Sequence, residues 1–288
     1  MKLKLQLKII LFGFLFISTS NIFYAQSFHD EVQSVFNFSP QKLTEKEQDK
    51  IFPILDDFFK KVIANKSDYL EPLREELKRN DNNPYFYYDG GILLMEISNE
   101  PSDLQLIADA LVKTDLKDLN SKMYLYHLMK LSIKGTDVID AALHIYQDPS
   151  FQVYIEQHAL LLNQGECLKF ILPRYESDKY VKKLSDIYSK SDSISTKESI
   201  ISLLYYSRNC EADKIIESIK TNKNEPKEIK TLINITQKLN QKKRKSDKKK
   251  YQKIRSEIKT TLTRISDEAI YELNELTEEL SKYYNCAN

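Results

Sequence analysis

Four stretches of this chain carry a helical apolar stripe, and they recur at a near-constant interval. Leu104, Ile107, Ala108 and Leu111 form the first, and Val138, Ala141, Ala142 and Ile145 the second. Val181, Leu184, Ser185 and Tyr188 keep the spacing with one polar member, and Ala212, Ile215, Ile216 and Ile219 complete the series. Residues at i, i+3, i+4 and i+7 share one face of an α-helix. The stripes begin 34, 43 and 31 residues apart, a mean of 36. A further helix is expected ahead of each, at about 85–98, 120–133, 154–171 and 196–207. The small polar pairs Ser102-Asp103, Thr136-Asp137 and Ser177-Asp178 offer caps for three of the striped helices. A pair of this length cannot bury its stripe alone, so neighbouring pairs must stack. Only 5 Gly and 8 Pro in 288 residues leave little turn material for a sandwich or barrel. The expected fold class is therefore all-α.

Over about residues 85–221 this period and pattern resembles HEAT-like α-helical repeat proteins. The resemblance implies an α-solenoid of stacked helix pairs presenting a concave face to another macromolecule. The Trp, Gly, Tyr and Pro signature of tetratricopeptide repeats is absent, and the chain has no Trp.

The first 25 residues read as a secretory signal. Lys2, Lys4 and Lys8 precede the run IILFGFLFI, which is too short to span a bilayer as a helix. Cleavage is expected near Ser18 and Ser20 or after Ala25. The mature chain is then expected to be exported, periplasmic or secreted, with no transmembrane segment. Loss of three Lys leaves it two charges negative. Cys167, Cys210 and Cys286 are an odd number, so at least one thiol must be free or paired with another molecule.

Residues 26–84 make an N-terminal helical segment. Up to about Ser39 they read as a leader or irregular stretch. Thr44 and Glu47 then fit a capping box opening a helix to about Ala64, and a second runs from Ser67 to about Arg79. Asn83 and Pro84 fit the cap and first position of the next.

Residues 222–288 read as a helical hairpin with a basic tip. Pro226 opens a helix faced by Ile229, Leu232, Ile233, Thr236 and Leu239. Between Lys238 and Lys259 there are 11 Lys/Arg against Asp247 and Glu257, with Ser246-Asp247 at the expected turn. Beyond it Ile254, Ile258, Leu262, Ile265, Ala269, Leu273, Leu276 and Leu280 step by three or four, as in an eleven-residue repeat. Ser266-Asp267-Glu268 equally suits the start of a new helix.

Chemistry-bearing motifs are few. His127, His144 and His158 fall on successive expected helices but amid apolar residues, and no CxxC or close His pair offers a zinc site. No metal and no cofactor is expected. Cys167, nine residues after His158, is the one candidate thiol nucleophile, with Glu166 beside it opposing thiolate formation. Asp89-Gly90-Gly91 is neither a P-loop nor a dinucleotide motif, and marks a break or a close helix contact. Tyr85, Phe86, Tyr87 and Tyr88 are too many consecutive aromatics for one buried face, so at least one is expected outside as a partner anchor. Lys242, Lys243, Arg244, Lys245, Lys248, Lys249 and Lys250 form the second candidate contact, suited to an anionic polysaccharide, lipid head groups or an acidic protein face. Nucleic acid is not expected of an exported chain.

The leading expectation is an exported, non-catalytic helical-repeat scaffold that binds another protein. The alternatives are a thiol or hydrolytic enzyme on a helical-repeat fold, and a structural envelope component recruited through the basic tip.

Overall fold

The computed structural model describes residues 27–38, 43–98, 100–117, 119–156, 159–241, 248–261, 263–264, 267–280 and 282–283. The signal-like segment 1–25 lies outside them. The fold is mostly helical, with one two-stranded antiparallel sheet among the described residues. The chain divides into two compact units, Met1–Asp118 and Leu119–Asn288. The division falls inside the stretch 85–221 read as one repeat series.

Among the described residues the first unit packs five helices: α1 (27–35), α2 (Glu45–Ala64), α3 (Lys66–Lys78), α4 (Pro84–Ile97) and α5 (Pro101–Leu111). Helix α4 starts where Asn83 and Pro84 require: the Asn83 carboxamide oxygen accepts from the Tyr85 amide at 3.1 Å. At the start of α2 the Glu47 carboxylate accepts from the Thr44 amide at 2.8 Å and the Thr44 hydroxyl at 2.7 Å. These bonds hold the Glu47 carboxyl below its ordinary pKa.

Helix α1 corrects the reading of 26–39 as leader. Phe28, Val32 and Phe36 step by four, and all three are buried. Phe28 meets Phe58 and Tyr69, while Phe36 meets Phe86 edge-on at 5.3 Å between ring centres. His29 Nδ1 lies 2.7 Å from the buried Glu76 carboxylate. The Asn83 amide donates to the carbonyls of Phe36 (2.5 Å) and Phe38 (3.0 Å).

Two polar devices tie α3 to α5 and to the turn that follows it. Arg74 donates from Nε to Asp103 Oδ1 at 2.8 Å and from Nη2 to Asp103 Oδ2 at 2.6 Å, with the carboxylate buried. Lys113 extends its ammonium to the carbonyls of Leu77, Lys78 and Arg79 at 2.8–3.1 Å. Those carbonyls end α3 and have no intrahelical donor, so a cation there satisfies them and complements the helix dipole.

The second unit opens with α6 (Ser121–Ile133) and α7 (Ile139–Leu143), which tightens into a 3₁₀ turn at His144–Gln147. Gly135 takes φ +90° in the reversal between them, where an L side chain would be strained. Strands β1 (Val153–Ile155) and β2 (Leu160–Leu162) follow, pairing Val153 with Leu162, Tyr154 with Leu161 and Ile155 with Leu160. This hairpin replaces most of the helix expected at 154–171, of which α8 (Gln164–Leu168) is the remnant. The reason is local: Val153 and Ile155 are β-branched and face inward while Tyr154 faces out, a period of two.

Next come α9 (Val181–Lys190), α10 (Ile194–Ser207), α11 (Cys210–Thr221) and α12 (Lys227–Gln241), then α13 (Lys248–Thr261) and α14 (Asp267–Leu280). Helix α10 is central and packs against α8, α9, α11, α12 and α14. The stripe residues Val181, Leu184, Tyr188, Ala212, Ile216 and Ile219 are all buried. The C-terminal hairpin differs from the one expected. Its arms are α13 and α14, joined through 262–266, whereas α12 packs on α10 and α11. Ion pairs set the two arms antiparallel: Lys250 with Glu279 at 3.5 Å near one end, and Arg264 with Glu272 at the other. Ile254 and Ile258 on one arm, and Ala269 and Leu273 on the other, are buried. The apolar row is thus folded back on itself.

Candidate functional site

A cavity of about 490 Å³ opens along α10 in the second unit. Ser195, Ser199, Ser202 and Tyr206 line it from one face of that helix, at steps of four, three and four. Ser193 caps α10, its hydroxyl accepting from the Thr196 amide at 3.2 Å. At the far end Arg208 takes the left-handed conformation (φ 52°, ψ 36°). Such a backbone costs a non-glycine residue about 1–2 kcal/mol, and here it turns the chain from α10 into α11 with Arg208 buried in the cavity wall.

The opposite wall is α8, and glycine sets its approach. A Cβ on Gly165 would lie 2.5 Å from Ser199 Oγ and 3.3 Å from the Ser199 carbonyl oxygen, so only glycine lets α8 lie this close. Asn163 and Glu166 cap the helix reciprocally, each accepting from the other's amide at 3.1 Å. Gln164 is buried and donates to the carbonyls of Ile145 (3.0 Å) and Asp148 (2.5 Å), anchoring the wall beneath. Ser199 Oγ also shares a 2.8 Å hydrogen bond with the Tyr146 hydroxyl, whose pKa burial pushes up.

The charges of the cavity are distributed unevenly. Lys169 holds its ammonium 4.1 Å from the centre of the Tyr206 ring, toward the C-terminal end of α10. Glu198 stands toward the N-terminal end, exposed, with no hydrogen bond or ion pair among the described residues. Glu166 is held in its cap. The described lining contains no His, Cys or Asp.

Cys167 adjoins this wall but turns away from it. Its side chain is fully buried, with Sγ 3.8 Å from the Leu162 carbonyl. Burial, and then the Glu166 charge, push the thiol pKa well above its ordinary value. A buried, protonated thiol is a poor nucleophile, which removes the main support for the thiol mechanism; His158 lies outside the described residues. Cys167 is a free thiol and Cys210 is disulfide-bonded.

The aromatic run is placed otherwise than expected. Tyr85, Phe86 and Tyr87 are all buried and Tyr88 is half-buried. Three consecutive aromatics fit inside because α1 and the residues after it cover the side that α3 and α5 do not. Phe38 stacks on Tyr85, Phe36 meets Phe86 edge-on, and Lys113 lies over the Tyr87 ring at 5.1 Å. The Tyr87 hydroxyl donates to the Arg79 carbonyl at 2.9 Å. Tyr85, Phe86 and Tyr87 are core residues, and as partner anchors they are corrected.

Of the basic cluster, Lys242, Lys243, Arg244 and Lys245 lie outside the described residues. Lys248, Lys249 and Lys250 open α13, and Lys249 is exposed. Lys250 is committed to the hairpin, 3.5 Å from Glu279 and 4.9 Å from the Tyr283 ring centre.

His127 Nδ1 bonds to the Met123 carbonyl at 2.8 Å, and His144 is buried. No group of three metal-ligating side chains gathers among the described residues. None of the described helices is long and apolar enough to cross a membrane.

The cavity went unnoticed in the sequence because its polar positions read as a solvated helix face. Two signals were present, Gly165 behind a capping pair and serines spaced along α10, but neither says that the two helices meet. The fold and the cavity together define a mostly helical protein with a preformed cleft between two helices of one compact unit. No family model matches the chain, and no curated protein and no solved structure matches it.

Proposed function

We propose that the protein is an exported, non-catalytic helical scaffold that binds another macromolecule through the α10 cavity. The observation that carries this reading is the cavity itself: ligand-sized, preformed, walled by a polar helix face, and lined among the described residues without His, Cys or Asp. Binding needs shape and placed polar groups, whereas hydrolysis needs an activated nucleophile or a positioned acid and base. The pairs α4–α5, α6–α7 and α10–α11 are read as members of a HEAT-like series, with the hairpin β1–β2 and α8 standing in for one helix. Export is proposed from the N-terminal sequence alone, and a native N-terminus just after Ala25 or near Ser18–Ser20 is the outcome it requires.

The test is affinity capture on the full chain beside Ser202→Trp, whose indole fills the cavity from a half-buried wall position. A partner retained by the wild type and lost from the variant supports the reading. A partner held equally by both places the contact elsewhere and refutes the cavity as the site.

A further inference from the structure

We infer that the cavity takes an extended peptide segment of three or four residues ending in a free carboxylate, with a basic group at its other end. This rests on the reading that the cavity is where a partner binds. Its two ends carry opposite charge: Lys169 beside Tyr206 toward the C-terminal end of α10, Glu198 toward the N-terminal end. Glu166, the other acid of the lining, already accepts from the Asn163 amide. Eight residues of helix separate Glu198 from Tyr206, about 12 Å at 1.5 Å per residue. An extended peptide covers that span in three or four residues, at about 3.3–3.6 Å each. Between the ends, Ser202 presents a hydroxyl with no hydrogen bond to the described residues, suited to a peptide amide or carbonyl.

The aromatic rings argue against a glycan. A sugar needs an open ring face to stack on, but Lys169 lies over Tyr206, and Phe151 and Tyr205 are buried. Lys169 is better placed for a carboxylate. It makes no ion pair among the described residues, and its ammonium is pinned by the ring, so less side-chain entropy is lost when an anion arrives.

The probe is acetyl-Lys-Ala-Ala-Leu with a free carboxylate, titrated into the full chain and followed at the α8 and α10 amides by nuclear magnetic resonance. The free acid is expected to bind at least about tenfold tighter than its carboxamide, a typical effect of one charge-assisted contact. Lys169→Gln is expected to erase that difference, and Glu198→Gln to erase the preference for Lys over Glu at the first position. Equal binding of acid and amide by the wild type, or no shifts at millimolar peptide, overturns the inference without relying on any variant. A neutral oligosaccharide that saturates the same amides while the peptide does not also overturns it, yet leaves the cavity as a partner site. Partner capture indifferent to Ser202→Trp defeats the functional reading instead.

Discussion

Gly90 and Gly91 are adjacent on α4, yet alanine should act oppositely at the two. Either substitution gains about 1 kcal/mol of helix propensity. At Gly90 the new methyl meets Phe86 Cζ at 2.8 Å, Phe86 Cε2 at 3.0 Å and Leu77 Cδ2 at 3.1 Å. Neither neighbour can yield outward, since both side chains are fully buried and the Phe86 ring is already set edge-on against Phe36. Overpacking of this kind costs about 1–3 kcal/mol, and three such contacts put it toward the upper end. The expected balance for Gly90→Ala is a loss of about 1–2 kcal/mol. At Gly91 the methyl meets only Ile107 Cγ2, at 3.3 Å. A shift of a few tenths of an ångström relieves that, so Gly91→Ala should be neutral or slightly stabilising. Native-state hydrogen exchange at Leu77 and Leu94 reads the first unit without requiring a two-state melt of the whole chain. Equal effects at the two positions, or a stabilised Gly90→Ala, would refute the argument that close packing selects glycine at 90.

Asp103→Asn should cost the first unit about 1–2 kcal/mol, because it removes the buried bidentate partner of Arg74 while leaving its pairs with Glu71 and Glu100. Burial alone would raise the Asp103 pKa, but the Arg74 and Ser98 hydrogen bonds overcome it and hold the carboxyl low. Its contribution is therefore present above the unfolded-state pKa and lost as pH falls through the folded one, and the variant should flatten the acid limb of a urea-midpoint profile. Asp89 has the opposite sign, since burial pushes its pKa up to about 6. The unit is then favoured below the unfolded-state pKa and loses that advantage as pH rises through about 6. Asp89→Asn should raise stability at pH 7 by on the order of 1–2 kcal/mol, after solvent screening at a half-buried site, and a variant whose gain over the wild type is no larger at pH 7 than at pH 4 defeats the assignment. Non-reducing peptide mapping should link Cys210 to Cys286, the one other cysteine remaining, while Cys167 is alkylated only after denaturation. A labelled Cys167 in the native protein contradicts its burial.

What was legible in the sequence was whatever depends on near neighbours in the chain. The stripe Leu104, Ile107, Ala108 and Leu111 names its own helix, and Asn83-Pro84 names a start, because both signals are complete within one or two turns. Phe28, Val32 and Phe36 carry the same kind of signal in a shorter form, three positions over little more than two turns directly after a signal-like leader. The aromatic run was only partly legible, for a different reason: three of its four rings are buried and Tyr88 is half-buried. Counting faces on α4 alone leaves one aromatic outside, and only a segment nearly fifty residues earlier makes the extra ring interior. The hairpin at 153–162 lost to an apolar count, since Leu160, Leu161 and Leu162 suit either period while Val153 and Ile155 suit only one. The α13–α14 pairing was open in principle, as Ser266-Asp267-Glu268 had the form of a helix start. Nothing local marks Arg208 as left-handed or brings α8 against α10; those are facts about packing between distant pieces.

Helix α1 has a consequence for the order in which the chain can mature. It is attached through His29 to Glu76, Gln33 to Asn82 and Phe36 to Asn83, each closing a loop of more than 45 residues. Loops of that length carry an entropic cost that must be met before their contacts repay it. A chain emerging N-terminus first therefore holds this segment unattached until α3 and α4 have followed it. Between the emergence of α4 and the docking of α1 on it, Tyr85, Phe86 and Tyr87 are uncovered on one side, a sticky aromatic surface open to other chains. The first dozen described residues thus act as a seal that closes over the aromatic face only after its partners are in place.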